Sequence, residues 1–290
     1  MRHAAIWLAL GAITVFAGCS MIRLGYGQAD SIAAWTANEY FDLDSRQKDE
    51  FLTRFERLYE WHRYEQLPEY AAFLSAAKSR LQSGPKREDV IWFAEGVKTR
   101  YRLIVSRGAA DAADILATVT PAQLDALQRQ WDKVNRKFIG EYHLDDTSQE
   151  QQHAQAQRML SRIKDWAGSL GYDQEQKIIA LSNGLPLTNR LRYEDRLRRQ
   201  REFLKLMELR GTGAEFAAKL RYWLLHWEEG RAPEYDHWYS VWSENRIQFL
   251  VEVERMLTPH QRATVLRRLQ NYIEDCQSLS ERSGRVAVAQ

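Results

Sequence analysis

A recurring helix-start signal constrains this chain more than any other feature. Asp44-Ser-Arg-Gln47, Thr120-Pro-Ala-Gln123, Asp173-Gln-Glu-Gln176 and Thr258-Pro-His-Gln261 each place a capping Asp or Thr three residues ahead of a Gln. The Asp or Thr oxygen accepts an otherwise orphan backbone N–H, and the Gln reaches back to the cap residue's own N–H. Thr147-Ser-Gln-Glu150 and Thr212-Gly-Ala-Glu215 are the Glu form of the same box. Pro121 and Pro259 stand at the first helical position, where a missing N–H costs nothing. Apolar residues at helical spacing follow the caps: Phe51, Phe55 and Leu58; Leu124, Leu127, Trp131, Val134 and Phe138; Met159, Ile163, Trp166 and Leu170; Val265, Leu269, Tyr272, Cys276 and Leu279. Each stripe is one face of an amphipathic helix that another helix must cover. Pro is scarce (6) and no segment alternates as a strand would. The expected fold is all-α and bundle-like. Breaks at Leu67-Pro68, Ser83-Gly84-Pro85, Gly108, Gly171, Gly184–Pro186, Gly211 and Gly230–Pro233 imply roughly eight to ten helices with short loops. Pro68-Glu69-Tyr70 recurs as Pro233-Glu234-Tyr235, an echo that does not amount to a duplication.

The first 18 residues read as an address. A short basic start, Met1-Arg2-His3, precedes an apolar run from Ala4 to Ala17. The run is too short to span a bilayer, which takes about 20 apolar residues, and has the proportions of a cleaved secretion signal. It ends Phe16-Ala17-Gly18-Cys19-Ser20, which resembles the bacterial lipobox, with Phe16 where Leu is usual. Cys19 is then the expected acylated first residue of the mature chain, and its acyl chains would anchor it stably. In the sorting rule of such lipoproteins, Ser20 is permissive for export to the outer membrane. Residues 19–30 are expected to form a short tether, residues 31–282 the helical body and residues 283–290 a fraying tail.

Charge excludes little. The chain carries 41 Lys+Arg against 39 Asp+Glu, and losing Arg2 with the signal takes the balance from +2 to +1. Nothing there calls for nucleic acid. The only other cysteine, Cys276, has no intramolecular mate if Cys19 is acylated, and its place on an apolar stripe suggests an inert thiol.

Two segments carry resemblances. Trp61-His62-Arg63-Tyr-Glu65-Gln66-Leu67-Pro68-Glu69-Tyr70 follows Leu43-Asp44-x-x-Gln47 by one helix. With the lipobox, this resembles an uncharacterised family of Gram-negative lipoproteins, known only as a domain of unknown function. That family tends to have Glu where this chain has Gln66. Leu257-Thr258-Pro-His-Gln261 and Val119-Thr120-Pro-Ala-Gln123 are similar to the LTxxQ motifs of periplasmic chaperone and adaptor proteins, although a helix cap alone explains them.

Two groups are candidates for a binding groove. The first is Trp61, His62, Arg63, Glu65, Glu69 and Tyr70, at a helix end expected where Pro68 disfavours helical geometry at Leu67. Its plainer reading is a core histidine satisfied by Glu65 or a backbone carbonyl. The second is Trp223, Trp227, Trp238 and Trp242, two i,i+4 pairs that could face each other across the Pro233 turn, or simply fill the core. His226, Glu228, Glu229 and His237 lack metal-ligand spacing, and no nucleophile or phosphate-loop motif occurs. The arginine run from Arg190 to Arg201 reads first as a solvated helix face with local ion pairs, and second, on a membrane-tethered protein, as a face against anionic headgroups or lipopolysaccharide phosphates. The expectation is therefore a lipid-anchored protein facing the periplasm from the outer membrane. It would have no catalytic residues, metal or cofactor, and would bind or scaffold a protein or envelope component. The alternatives are an LTxxQ-type holdase and an envelope hydrolase or lyase centred on His62.

Overall fold

A computed structural model describes residues 21–281. The expected signal, Cys19 and the tail lie outside the described residues. Within them the chain is all-α and bundle-like. The helices are α1 (Met21–Gly27), α2 (Ala29–Phe41), α3 (Ser45–Trp61), α4 (Leu67–Gln82), α5 (Arg87–Ala117), α6 (Pro121–Glu141), α7 (Ser148–Ala167), α8 (Tyr172–Asn183), α9 (Asn189–Met207), α10 (Ala214–Leu225), α11 (Pro233–Met256) and α12 (Pro259–Ser280). Among the described residues no helix is long and apolar enough to cross a membrane.

The capping glutamines do more than cap. Gln47 and Gln123 exchange amide hydrogen bonds, Nε2 of each donating to Oε1 of the other at 3.2 and 2.6 Å. Gln47 also donates to the Thr118 carbonyl, and Gln123 to that of Asp42, both at 3.1 Å. Gln174 and Gln261 repeat the arrangement: 2.9 Å in each direction, with further bonds of 2.8 Å to the carbonyls of Met256 and Ser169. In each case the carbonyl lies two residues before the partner's cap, so a glutamine closes its own helix start and the neighbouring one together. Gln174, not Gln176, performs this role: α8 starts two residues earlier than expected, and the Gly171 N–H donates to Gln174 Oε1 at 2.9 Å. Thr147–Glu150 forms the expected box. Thr212–Glu215 does not, because α10 begins from Gly213 at φ +61° and Glu215 pairs with Lys219 at 2.7 Å.

Two other expected breaks are absent. α5 runs through Gly108, where a Cβ would sit 3.3 Å from Leu58; the glycine serves the close approach of α3 rather than a turn. At Pro68 the chain continues through a π-helical turn, His62–Gln66. The Leu67 N–H bonds the His62 carbonyl five residues back. The wider turn takes up the ring clash and the missing donor that would otherwise break the helix.

Two buried cores result. Phe203 and Met207 of α9 meet Phe216 and Leu220 of α10, Ala113 of α5 and Leu127 of α6, with Tyr40 and Phe41 of α2 against them. Leu160 of α7, Ile178 of α8, Leu185, and Phe249 and Val253 of α11 form the second. Burying each such side chain stabilises the fold by about 1.5–3 kcal/mol. α12 lies along α4, burying Leu269 and Ile273. Its face is turned from the expected stripe: Asp275 is buried and Cys276 only half-buried. The cause is α1. The segment expected as an open tether is helical from Met21 and folds back on α12, with Arg23 Nε on Asp275 at 2.5 Å.

Candidate functional site

The first candidate group collects where α1, the π turn, α4 and α12 meet. The Tyr26 hydroxyl lies 2.8 Å from His62 Nδ1, and the Tyr70 ring stands edge-on to the imidazole at 5.2 Å. The histidine is thus satisfied by Tyr26, not by Glu65 or a carbonyl. Burial pushes the His62 pKa below its ordinary value and that of Tyr26 well above. Arg63 donates to the Leu279 carbonyl at 2.7 Å. Glu65 and Glu69 are exposed. Arg107 stacks over Trp61 at 5.7 Å. None of the six residues lines a sizeable cavity. Cys276 lies nearby, and burial and Asp275 push its thiol pKa up, away from reactivity.

The second group leads to a cleft. Two adjoining cavities, of about 490 and 450 Å³, share Arg192, Trp227, Arg231 and Tyr235 in their walls. Each falls within the roughly 300–1,000 Å³ of a small-molecule site. α9, whose arginine run reads from sequence as a solvated face, forms one wall. Trp223 lines the first cavity, Trp242 the second, and Trp227 both. Trp238 lines neither; it is 41 % exposed beside His237. Three of the four tryptophans therefore meet at one cleft, and Trp223 and Trp242 also rest against the two cores.

The local chain geometry at the junction is built around arginine. Arg198 bonds the Glu229 carbonyl at 2.9 Å and holds the loop between α10 and α11. Gly230, at φ +75°, lets that loop pass, since a Cβ there would meet Arg198 at 3.0 Å. The next residue, Arg231, has a side chain only 3 % exposed. Its guanidinium lies over the rings of Trp227, Tyr235 and Tyr239 at 4.5, 5.0 and 5.1 Å. Its nearest carboxylates, Asp236 and Asp195, are 3.8 and 3.9 Å away, and Asp195 is committed to Arg198 at 2.7 Å. Arg231 Nε and Trp227 Nε1 are both buried without a hydrogen-bond partner, which is costly unless something completes them.

The walls hold seven arginines, Arg158, Arg162, Arg192, Arg196, Arg199, Arg231 and Arg246, against one carboxylate, Asp195. Only Arg231 has an ion-pair partner among the described residues. Five of the other six lean on rings or backbone: Arg196 on Phe138 at 4.7 Å, Arg199 on Trp223 at 4.0 Å, Arg246 on Trp242 at 5.0 Å, Arg192 on Phe138 at 5.4 Å, and Arg158 to the Glu141 carbonyl at 3.2 Å. Arg162 is exposed. Burial and neighbouring guanidinia press the pKa values of Arg158, Arg196 and Arg199 down, yet arginine stays charged. The cleft is a concentrated positive field on an aromatic frame.

Sequence reasoning named three tryptophans of this cleft but not its arginines, which come from α7, α9, α11 and a loop that only the fold brings together. The available signal was the arginine run on α9 at three- and four-residue spacing. His226, Glu228 and Glu229 are engaged elsewhere, with Tyr222, Lys98 and Tyr222 respectively. Among the described residues no three His, Cys, Asp or Glu side chains are grouped to hold a metal ion.

No curated protein and no solved structure matches the chain. The profile of a family of unknown function, DUF6279, matches residues 39–236, a span that includes the Trp61–Tyr70 segment and most of the cleft. The chain belongs to that uncharacterised family.

Proposed function

We propose that this protein is a lipid-anchored binding protein of the cell envelope, held to the outer membrane through Cys19, whose cleft takes an anionic ligand. One observation carries the reading: six cleft arginines have no carboxylate partner. Holding Arg158, Arg196 and Arg199 half-buried and unpaired beside the exposed Arg162, Arg192 and Arg246 opposes folding. An anion offering several oxygens would meet them with charge-assisted, often bidentate hydrogen bonds. No cofactor or nucleophile is needed for this role, and the aromatic walls supply orientation rather than chemistry.

The test is binding of pyrophosphate to the full-length chain in neutral phosphatidylcholine vesicles, followed by tryptophan fluorescence. Saturable binding that weakens as salt rises, and that Arg162→Glu with Arg246→Glu abolishes, is the expected result. Binding that is absent, or indifferent to that double variant, sinks the proposal. Intact mass of the membrane-extracted protein checks the anchor: the chain should begin at acylated Cys19.

A further inference from the structure

The two lobes of the cleft differ in chemistry. The larger is walled by Tyr40, Phe41, Leu127, Trp131 and Phe203. Its two unshared arginines, Arg196 and Arg199, lie against the rings of Phe138 and Trp223. The smaller lobe holds Arg158, Arg162 and Arg246, close enough that Arg162 depresses the pKa of both others. Between them stand the two unpartnered donors, Trp227 Nε1 and Arg231 Nε.

A small inorganic anion would leave the aromatic lobe unused. An acidic polymer would find arginine in both lobes, since Arg192, Arg196, Arg199 and Arg231 also line the larger one, but would leave that lobe's ring and aliphatic walls unused. A molecule with a compact anionic head and an apolar tail matches both lobes and the polar junction between them. Arginine's planar fork suits a phosphoryl group in particular.

Resting on the anion-binding reading above, we infer that the cleft holds a phosphoryl amphiphile. Its phosphate sits against Arg158, Arg162 and Arg246, its acyl chain lies among Phe41, Trp131 and Phe203, and its linking ester or hydroxyl oxygens face Trp227 and Arg231. Glycerophospholipids and phosphorylated glycolipids share this chemistry.

The experiment is calorimetric titration of the full-length chain in neutral phosphatidylcholine vesicles, with the heat into protein-free vesicles subtracted. The probes are dihexanoyl phosphatidic acid, a short-chain phosphorylated glucosamine diester and glycerol 3-phosphate, the last being the head alone. At least one amphiphile should bind ten times or more tighter than glycerol 3-phosphate, and the tighter of the two names the source. Arg162→Gln with Arg246→Gln should weaken all binding at least tenfold. Trp131→Ser should remove only the amphiphile's advantage; Tyr40→Ser serves the same purpose should the melting temperature of Trp131→Ser fall. Glycerol 3-phosphate binding as tightly as either amphiphile would overturn the inference and leave the anion reading standing. No binding by any probe would remove both. Amphiphile binding unchanged in the arginine double variant would overturn the inference as simple partitioning into apolar surface.

Discussion

Arginines occupy two kinds of place in this molecule. Between α3 and α5, Arg54 meets Glu50, Asp111 and Asp114 at 2.6, 2.9 and 2.7 Å, and Arg57 shares Asp111. Hydrogen bonds to those acids hold the Arg54 pKa well above its ordinary value. That network joins two helices and is complete in itself. In the cleft, Arg196 and Arg199 are half-buried but rest on rings, with no carboxylate of the described residues within ion-pair distance. The first arrangement explains a contact between helices. The second leaves unspent attraction, and a fold retains such an arrangement when something outside the chain uses it.

The largest effect expected is on the cleft alone. Arg162→Glu with Arg246→Glu should weaken anion binding by a thousandfold or more, about 4 kcal/mol, because reversal replaces attraction with repulsion. The melting temperature should hold or rise, because the change relieves crowding among like charges; a large fall would show these arginines to be structural like Arg54 and dissolve the contrast. Gln123→Ala is the uncharged counterpart. It takes the side-chain partner from the Asp42 carbonyl and the Thr120 N–H at a buried site, and one bond from each end of the Gln47 amide, which keeps Thr118 and Asp44. Denaturant unfolding should show a loss of about 2–3 kcal/mol, with the anion affinity of the folded fraction unchanged. Arg54→Met should cost about 1–2 kcal/mol by the same measurement, since three carboxylates are left facing one another. Arg196→Met should move the other way. It relieves burial and the repulsion from Arg192, so the melting temperature should rise by about 2–4 °C for each kcal/mol gained, while anion binding weakens. A fall in stability would mean that the Phe138 stack outweighs the buried charge.

His62 offers a third treatment of a cation, in which the charge is avoided, and the smallest effect. Its folded pKa lies below the ordinary value, so the folded protein binds its proton less readily than the unfolded chain. Stability from this group is full above about pH 6.5 and is lost as pH falls through that value towards the folded pKa. His62→Gln should therefore lose less melting temperature between pH 7 and pH 5 than the parent. An equal or steeper loss would assign the acid sensitivity elsewhere.

How much of this was legible beforehand follows from the range of the interactions. Caps are local, so Asp44, Thr120, Thr147 and Thr258 could be read within four residues. Gly171 could not, because glycine contributes no capping oxygen and Asp173 offered a more familiar pattern. At Pro68, local rules predicted a break that a π turn repaired, and both that turn and the helix after it pack against α12. The rotated face of α12 depends on Arg23, some 250 positions away in the chain. The tryptophan cluster was visible as a cluster, but not which indoles point inward. Membership of the uncharacterised family was legible in Trp61–Tyr70. The arginine cleft was not, because side chains spread from Arg158 to Arg246 show no spacing of their own.

The reciprocal glutamine pairs bear on how this molecule comes together and opens. One closes a loop between residues 47 and 123, the other between 174 and 261, and the two loops do not overlap. The first can be complete before the second has left the ribosome, which suits folding by successive cooperative units. The cleft draws Phe41 and Trp131 from the helices on either side of the first loop and Trp227 and Arg231 from within the second. A molecule seated there would link the local unfolding of both, so its arrival should be felt as slower amide exchange at Gln261, well beyond the residues that form the cleft.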